Sequence, residues 1–154
     1  MTTRAADAEG FVTRDTIAYY AARARGGVGL VTVEMAAPER AGRHRKHELG
    51  IYDDRFLPGL RALVVAIHEE GARASIQLGH GGGHTRADIC GATPIAPSAV
   101  PHVVQEGTTE TVVPEAMTPA RIAETTTAFV RAAERAYAAG FDCVEIHAAH
   151  GYLI

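Results

Sequence analysis

Residues 118–146, TPARIAETTTAFVRAAERAYAAGFDCVEI, decide the fold. Thr118 is placed as an N-cap and Pro119 at the first helical position, where its missing N–H costs nothing. Ile122, Thr126, Phe129, Val130, Ala133 and Tyr137 then recur at 3.6-residue spacing, which predicts a helix with one apolar face. Gly140 supplies the left-handed residue that ends it, and Phe141 to Ile146 follows as a strand. Working outward, the same phrase occurs twice before. A helix over about Asp15 to Arg25, with Ile17, Tyr20, Ala21 and Ala24 on one face, stops at Gly26-Gly27 before a strand from Val28 to Met35. Another, over about Asp54 to Glu70 with Leu60, Leu63, Val64 and Ile67 inward, stops at Gly71 before a strand from Ala72 to Leu78.

Helix and strand alternating through short helix-to-strand turns predict parallel strands, since each crossover returns the chain to the same end of the sheet. The strand-to-helix connections are the long ones, Ala36 to Asp53 and Gly79 to Met117. That asymmetry favours a (β/α)8 barrel, which carries its site on the loops at the C-terminal strand ends. A doubly wound sheet would want a GxGxxG at its first strand-to-helix turn; Gly26-Gly27-Val28-Gly29 follows a helix and reads as a C-cap. The fold class is therefore α/β, a partial (β/α)8 TIM barrel amounting to roughly its first half. Residues 1–154 form one incomplete domain, with the start of strand 1 and everything after strand 4 expected to be missing.

The 154 residues carry a net charge of -3 and no Lys/Arg run, which gives no electrostatic footprint for nucleic acid. The N-terminus lacks an apolar signal core and no apolar run approaches membrane-spanning length, so no membrane partner and a cytoplasmic location are expected. Cys90 and Cys143 form neither a disulfide framework nor a CxxC site.

The residues at the ends of the three strands are Glu34-Met35, Gln77-Leu78 and His147 with its followers. The last ten residues, EIHAAHGYLI, place two imidazoles and a phenol within six positions. On an extended strand His147 and His150 would point to opposite faces, so they cooperate only if the chain leaves the strand between them, a turn that Gly151 makes easy. The loop Arg40 to His47 is read as a solvated lid, with a role in holding an anionic substrate or nicotinamide phosphate left open. His80 and His84, flanking three glycines, are read as mobile loop histidines.

GFDCVEIHAAHGYLI resembles the signature of the old yellow enzyme family, the FMN-dependent ene-reductases of the NADH:flavin oxidoreductase group. IQLGHGGGHTR resembles the family's QLxHxGR segment and TPIAPSAVP its PxAPSxI loop. LVTVEMA with ELGIYDD resembles the second strand and the loop after it, and Met1-Thr2 the end of a PMT first strand. The resemblance implies FMN as cofactor, reduced by NADH or NADPH, with hydride passing to the activated C=C of an enone, enoate or enoyl thioester. It implies that Gln77 bonds the flavin pyrimidine edge, that Thr2 lies beside the C4 carbonyl, and that Met1 and Met35 contact FMN mainly through backbone. His147 and His150 would grip the substrate carbonyl oxygen, and Tyr152 would donate the proton.

Gly83 departs from the pattern, standing where the family segment has Arg. The family includes single-barrel enzymes and longer relatives of the dienoyl-CoA reductase type that add iron-sulfur and FAD domains downstream, and the resemblance is compatible with either, and with a homo-oligomer. Two other classes remain: a metal-dependent barrel hydrolase or lyase using His80, His84, His147 and His150, and an inactive truncated product.

Overall fold

The computed structural model describes residues 2–103 and 110–154; Met1 lies outside the described residues. Thr13 opens helix α1 (Arg14–Arg25) with a reciprocal cap, its hydroxyl accepting the Thr16 N–H while the Thr16 hydroxyl accepts the Thr13 N–H. Strand β1 (Leu30–Ala37) follows, then the short β2 (Leu49–Gly50). A 3-10 turn at Asp54–Phe56 leads into α2 (Leu57–Glu69), and β3 spans Arg73–Leu78. The long connection after β3 holds α3 (Ala87–Cys90) and four two-residue strands, β4 (Ile95–Ala96), β5 (His102–Val103), β6 (Thr111–Val112) and β7 (Glu115–Ala116). Helix α4 (Pro119–Ala139) and β8 (Cys143–Ile146) close the described chain. Thr118 caps α4 through the Arg121 N–H, and Gly140 ends it at φ 99°, both at the positions that the sequence assigns.

The main sheet runs β2-β1-β3-β8 with every pair parallel, so its three long strands share one C-terminal end. Its helices cover one face. Leu60, Leu63 and Ile67 of α2 are fully buried against Val33 and Ile76, and Ala132 and Ala136 of α4 complete the layer.

Two features differ from the sequence reading. Helix α4 turns a different stripe inward: Thr125, Ala132, Ala136 and Ala139 are buried and Phe129 and Ala133 pack half-buried, while Ile122, Val130 and Tyr137 are exposed, Tyr137 at 84%. The α2 face is made of Leu, Val and Ile, and a layer of fixed thickness needs small residues opposite large ones. Strand β8 is exposed at all four residues, because β3 is its one neighbour in the sheet among the described residues.

Candidate active site

The C-terminal strand ends open onto one cleft of about 260 Å³. Each strand delivers its residue by a different local device. On β1, Val33 pairs with Ile76 and Ala36 with Leu78, so Glu34 and Met35 together oppose the single Gln77. This bulge turns Met35 into the cleft, a common use of a bulge beside a site. Opposite it Gly79 has no room for a side chain: a Cβ there would stand 2.2 Å from the Met35 sulfur and 3.2 Å from the His147 Cβ.

After Ile146 the chain leaves the strand, as the two-histidine spacing requires. His150 at φ 60° and Gly151 at φ 66° reverse it, and the His147 and His150 rings come to lie 5.4 Å apart, nearly parallel at 25°. Tyr152 follows with its ring 5.2 Å from that of His147. Two bonds fix this turn: His147 N–H to the Leu78 carbonyl at 2.9 Å, and Leu153 N–H to the His80 carbonyl at 3.0 Å. Gly82, at φ 59°, permits the approach, since a Cβ would stand 2.9 Å from the Leu153 backbone.

Burial and the neighbouring His150 hold the His147 imidazole below its ordinary pKa, which keeps it neutral near pH 7. Burial pushes the Tyr152 phenol up, with Glu48 adding to the rise and Arg45 opposing it, so the side chain keeps its proton. Thr2, Met35, Gln77, His147, His150 and Tyr152, the described residues that the resemblance selects, all line this one cleft. The Gln77 amide also donates to the Glu145 carboxylate.

Glu34, the carboxylate at the end of β1, is instead taken up by the N-terminal segment. It accepts the Thr3 N–H at 2.6 Å and the Thr3 hydroxyl at 2.5 Å, while burial raises its pKa against those bonds. Three residues that sequence reasoning did not place in the cleft also line it: Arg4, His44 and Arg45. The expectation of a solvated lid over Arg40 to His47 is corrected in its middle: Gly42, Arg43 and His44 are buried, as are Glu48, Leu49, Gly50 and Ile51 behind them, while Arg40, Lys46 and His47 are exposed. The signal that could have shown this is the four-residue spacing of His44 and Glu48.

His80 is likewise no mobile loop residue. It is 1% exposed, its Nδ1 accepts the Gly82 N–H, and its Nε2 therefore donates to Glu39, 3.0 Å away. His84 meets His102 at 3.3 Å, and this pair explains the departure at Gly83, where a Cβ would stand 2.4 Å from the His102 ring. The space at the root of an Arg side chain there belongs to His102. His80 and His84 of the metal reading are thus held in contacts of their own, apart from the stacked His147 and His150, and among the described residues no group of three or more His, Cys, Asp or Glu is placed to hold a metal ion. Among the described residues no helix is long and apolar enough to cross a membrane, and Cys90 and Cys143 are free thiols.

The model of the NADH:flavin oxidoreductase / NADH oxidase family matches residues 1–154. The NADPH dehydrogenase of Listeria monocytogenes is 42% identical over 146 residues, covering 95% of this chain and 41% of that protein. That of Geobacillus thermodenitrificans is 46% identical over 136 residues, 88% of this chain and 38% of that protein. Among solved structures, the old yellow enzyme homologue from Zymomonas mobilis superposes with a TM-score of 0.89 at 29% identity, over 99% of this chain and 44% of that one. Morphinone reductase superposes with a TM-score of 0.86 at 30% identity, over 99% and 43%. The chain thus spans about two fifths of the length of the curated relatives it matches. Sequence, strand order and the cleft at the strand ends agree: the chain belongs to the NADH:flavin oxidoreductase / NADH oxidase family and forms the N-terminal part of its barrel.

Proposed function

We propose that the protein carrying this chain is an FMN-dependent oxidoreductase in which NADH or NADPH reduces the flavin and hydride passes to the activated C=C of an α,β-unsaturated carbonyl compound. The observation that carries this reading is the convergence of His147, His150 and Tyr152 on the cleft that Thr2, Met35 and Gln77 also line. Those residues fit FMN by their chemistry. Gln77 offers both a donor and an acceptor to a pyrimidine edge, Thr2 offers a hydroxyl, and Met35, packed against side-chain-free Gly79, adds an apolar side chain to the lining. FMN, when bound, would supply the hydride.

The chain's own residues supply the rest. A neutral His147 beside His150 presents ring N–H groups that stabilise charge developing on the substrate oxygen, a contribution of roughly 3 kcal/mol for each donor of this kind. Tyr152 remains a phenol in its half-buried place and donates to the α-carbon. Arg4 and Arg45 line the same cleft, where among the described residues no carboxylate joins them, so an enoate or enoyl thioester is accommodated as well as a neutral enone.

The test uses the complete flavin-loaded protein in two half-reactions. Flavin absorbance bands should accompany purification, and Tyr152→Phe should slow alkene reduction by about 10²- to 10⁴-fold while leaving flavin reduction by nicotinamide nearly intact. A protein that shows no flavin bands after FMN is added, or a variant slowed equally in both halves, would sink the proposal.

A further inference from the structure

Tyr152 does not stand free in the cleft. Its hydroxyl lies 3.1 Å from Nε2 of His44, and on the far side of that ring Nδ1 lies 3.0 Å from Oε2 of Glu48. The same carboxylate oxygen accepts the backbone N–H of His44 at 2.8 Å and of Arg45 at 3.1 Å, so the turn it caps fixes it in place. The His44 and Glu48 side chains are 5% and 0% exposed. Gly81 packs directly over His44, with room for no Cβ, which would stand 2.4 Å from that of His44. Capping the turn accounts for the backbone bonds of Glu48 but not for an imidazole held between the carboxylate and the phenol. Nδ1 carries a proton toward the Glu48 oxygen, which already accepts two backbone N–H groups, and Nε2 is left to face Tyr152.

We propose that His44, oriented by Glu48, returns a proton to Tyr152 after each turnover, making phenol, imidazole and carboxylate a relay from solvent to the reacting carbon. This rests on Tyr152 being the proton donor. When the Tyr152 O–H bond breaks and its proton forms the C–H bond at the α-carbon, a phenolate is left. Nε2 of neutral His44, which lines the cleft itself, takes a proton from solvent there, and that Nε2–H bond then breaks as the phenol O–H re-forms, returning His44 to its neutral form. One solvent proton is consumed per alkene and no electron moves in the relay. The transfer runs downhill, because an imidazolium is ordinarily a stronger acid than a phenol. The charged and titratable groups facing the pair are Glu48 and Arg45 from the same loop, His84 from the turn after β3, and His147 and His150 from the end of β8 and the turn beyond it. His44 acts through Tyr152 and is a positioning and relay residue.

The experiment uses the complete flavin-loaded protein with NADPH and 2-cyclohexen-1-one as probe, comparing His44→Phe, His44→Gln and Tyr152→Phe. In His44→Phe the first product per site should form at close to the normal rate, because Tyr152 still holds its proton. Later turnovers should then slow by roughly 10- to 100-fold and be restored by added imidazole. His44→Gln retains a hydrogen-bond donor but cannot pass on a proton, so it should show the same burst and the same slowing of later turnovers. Absence of a burst in both variants, or a burst that imidazole leaves unchanged, overturns the proposal. A Tyr152→Phe variant whose first turnover is not slowed overturns instead the assignment of Tyr152 on which the proposal rests.

Discussion

Gln77 has two claims on its amide. It lines the cleft, where a flavin pyrimidine edge would take its donor and acceptor, and it donates to Glu145 on the neighbouring strand. Gln77→Ala removes both. If the flavin contact dominates, FMN retention should fall by about tenfold, the worth of one hydrogen bond near 1.4 kcal/mol, measured as Kd by flavin release. Unchanged retention and an unchanged reduction potential would reassign Gln77 to holding β3 against β8. At this scale the HAAHGY run was legible, since two imidazoles and a phenol at a strand end are few enough to be noticed. His44 was not. In a loop with Arg40, Arg43, Arg45 and Lys46 it has the composition of a solvated surface, and what buries it is a carboxylate four residues on and a glycine that belongs to another strand end. The bulge at Glu34 and Met35 was equally invisible, because a register shift is a property of two strands and not of one.

Elements separated by up to 86 positions are joined above the strand ends by one network. Glu39, just beyond β1, accepts from both His80, after β3, and Arg121, in the first turn of α4, with Thr125 donating at 3.1 Å. Burial pushes the Glu39 carboxyl up, but the bonds from His80 and Arg121 outweigh it and bring its pKa down to about 2. A pKa lowered by folding stabilises the protein above the unfolded value near 4.5, and that stabilisation is lost as pH falls toward about 2. Glu39→Gln should therefore cost about 2 kcal/mol in a denaturant titration at pH 7, and the gap from the unaltered protein should close between those two values. A gap of constant size across that range would mean that the charge on Glu39 contributes nothing. The caps of α1 and α4 and the glycines between helices and strands were readable because each is a local device. The inward face of α4 was not, because Ala132, Ala136 and Ala139 score weakly in a periodicity dominated by Ile122, Val130 and Tyr137. The size of the α2 side chains across the layer chooses between the two stripes, and that is tertiary information.

At the scale of the molecule, two surfaces mark where the family's barrel continues. Strand β8 has β3 on one side and no described partner on the other, with Val144 and Ile146 at 39% and 50% exposure. Beside it on the chain, α4 exposes Ile122, Val130 and Tyr137. In relatives of more than twice this length, further strands and helices are available to cover such faces. Residues 1–154 expressed alone should therefore self-associate, since an unpaired edge and contiguous apolar surface favour pairing with other chains. They should also hold FMN poorly, because the phosphate grip of a barrel usually lies after its seventh and eighth strands. Analytical ultracentrifugation and an FMN titration measure both. Joining the same residues to the remaining barrel of a relative should yield a monomeric core and slow amide exchange in β8, because the edge N–H groups gain partners. A segment 1–154 that is monomeric, melts cooperatively and binds FMN tightly would contradict this: it would mean that four strands close their own core and that the phosphate is held by loops already in this chain.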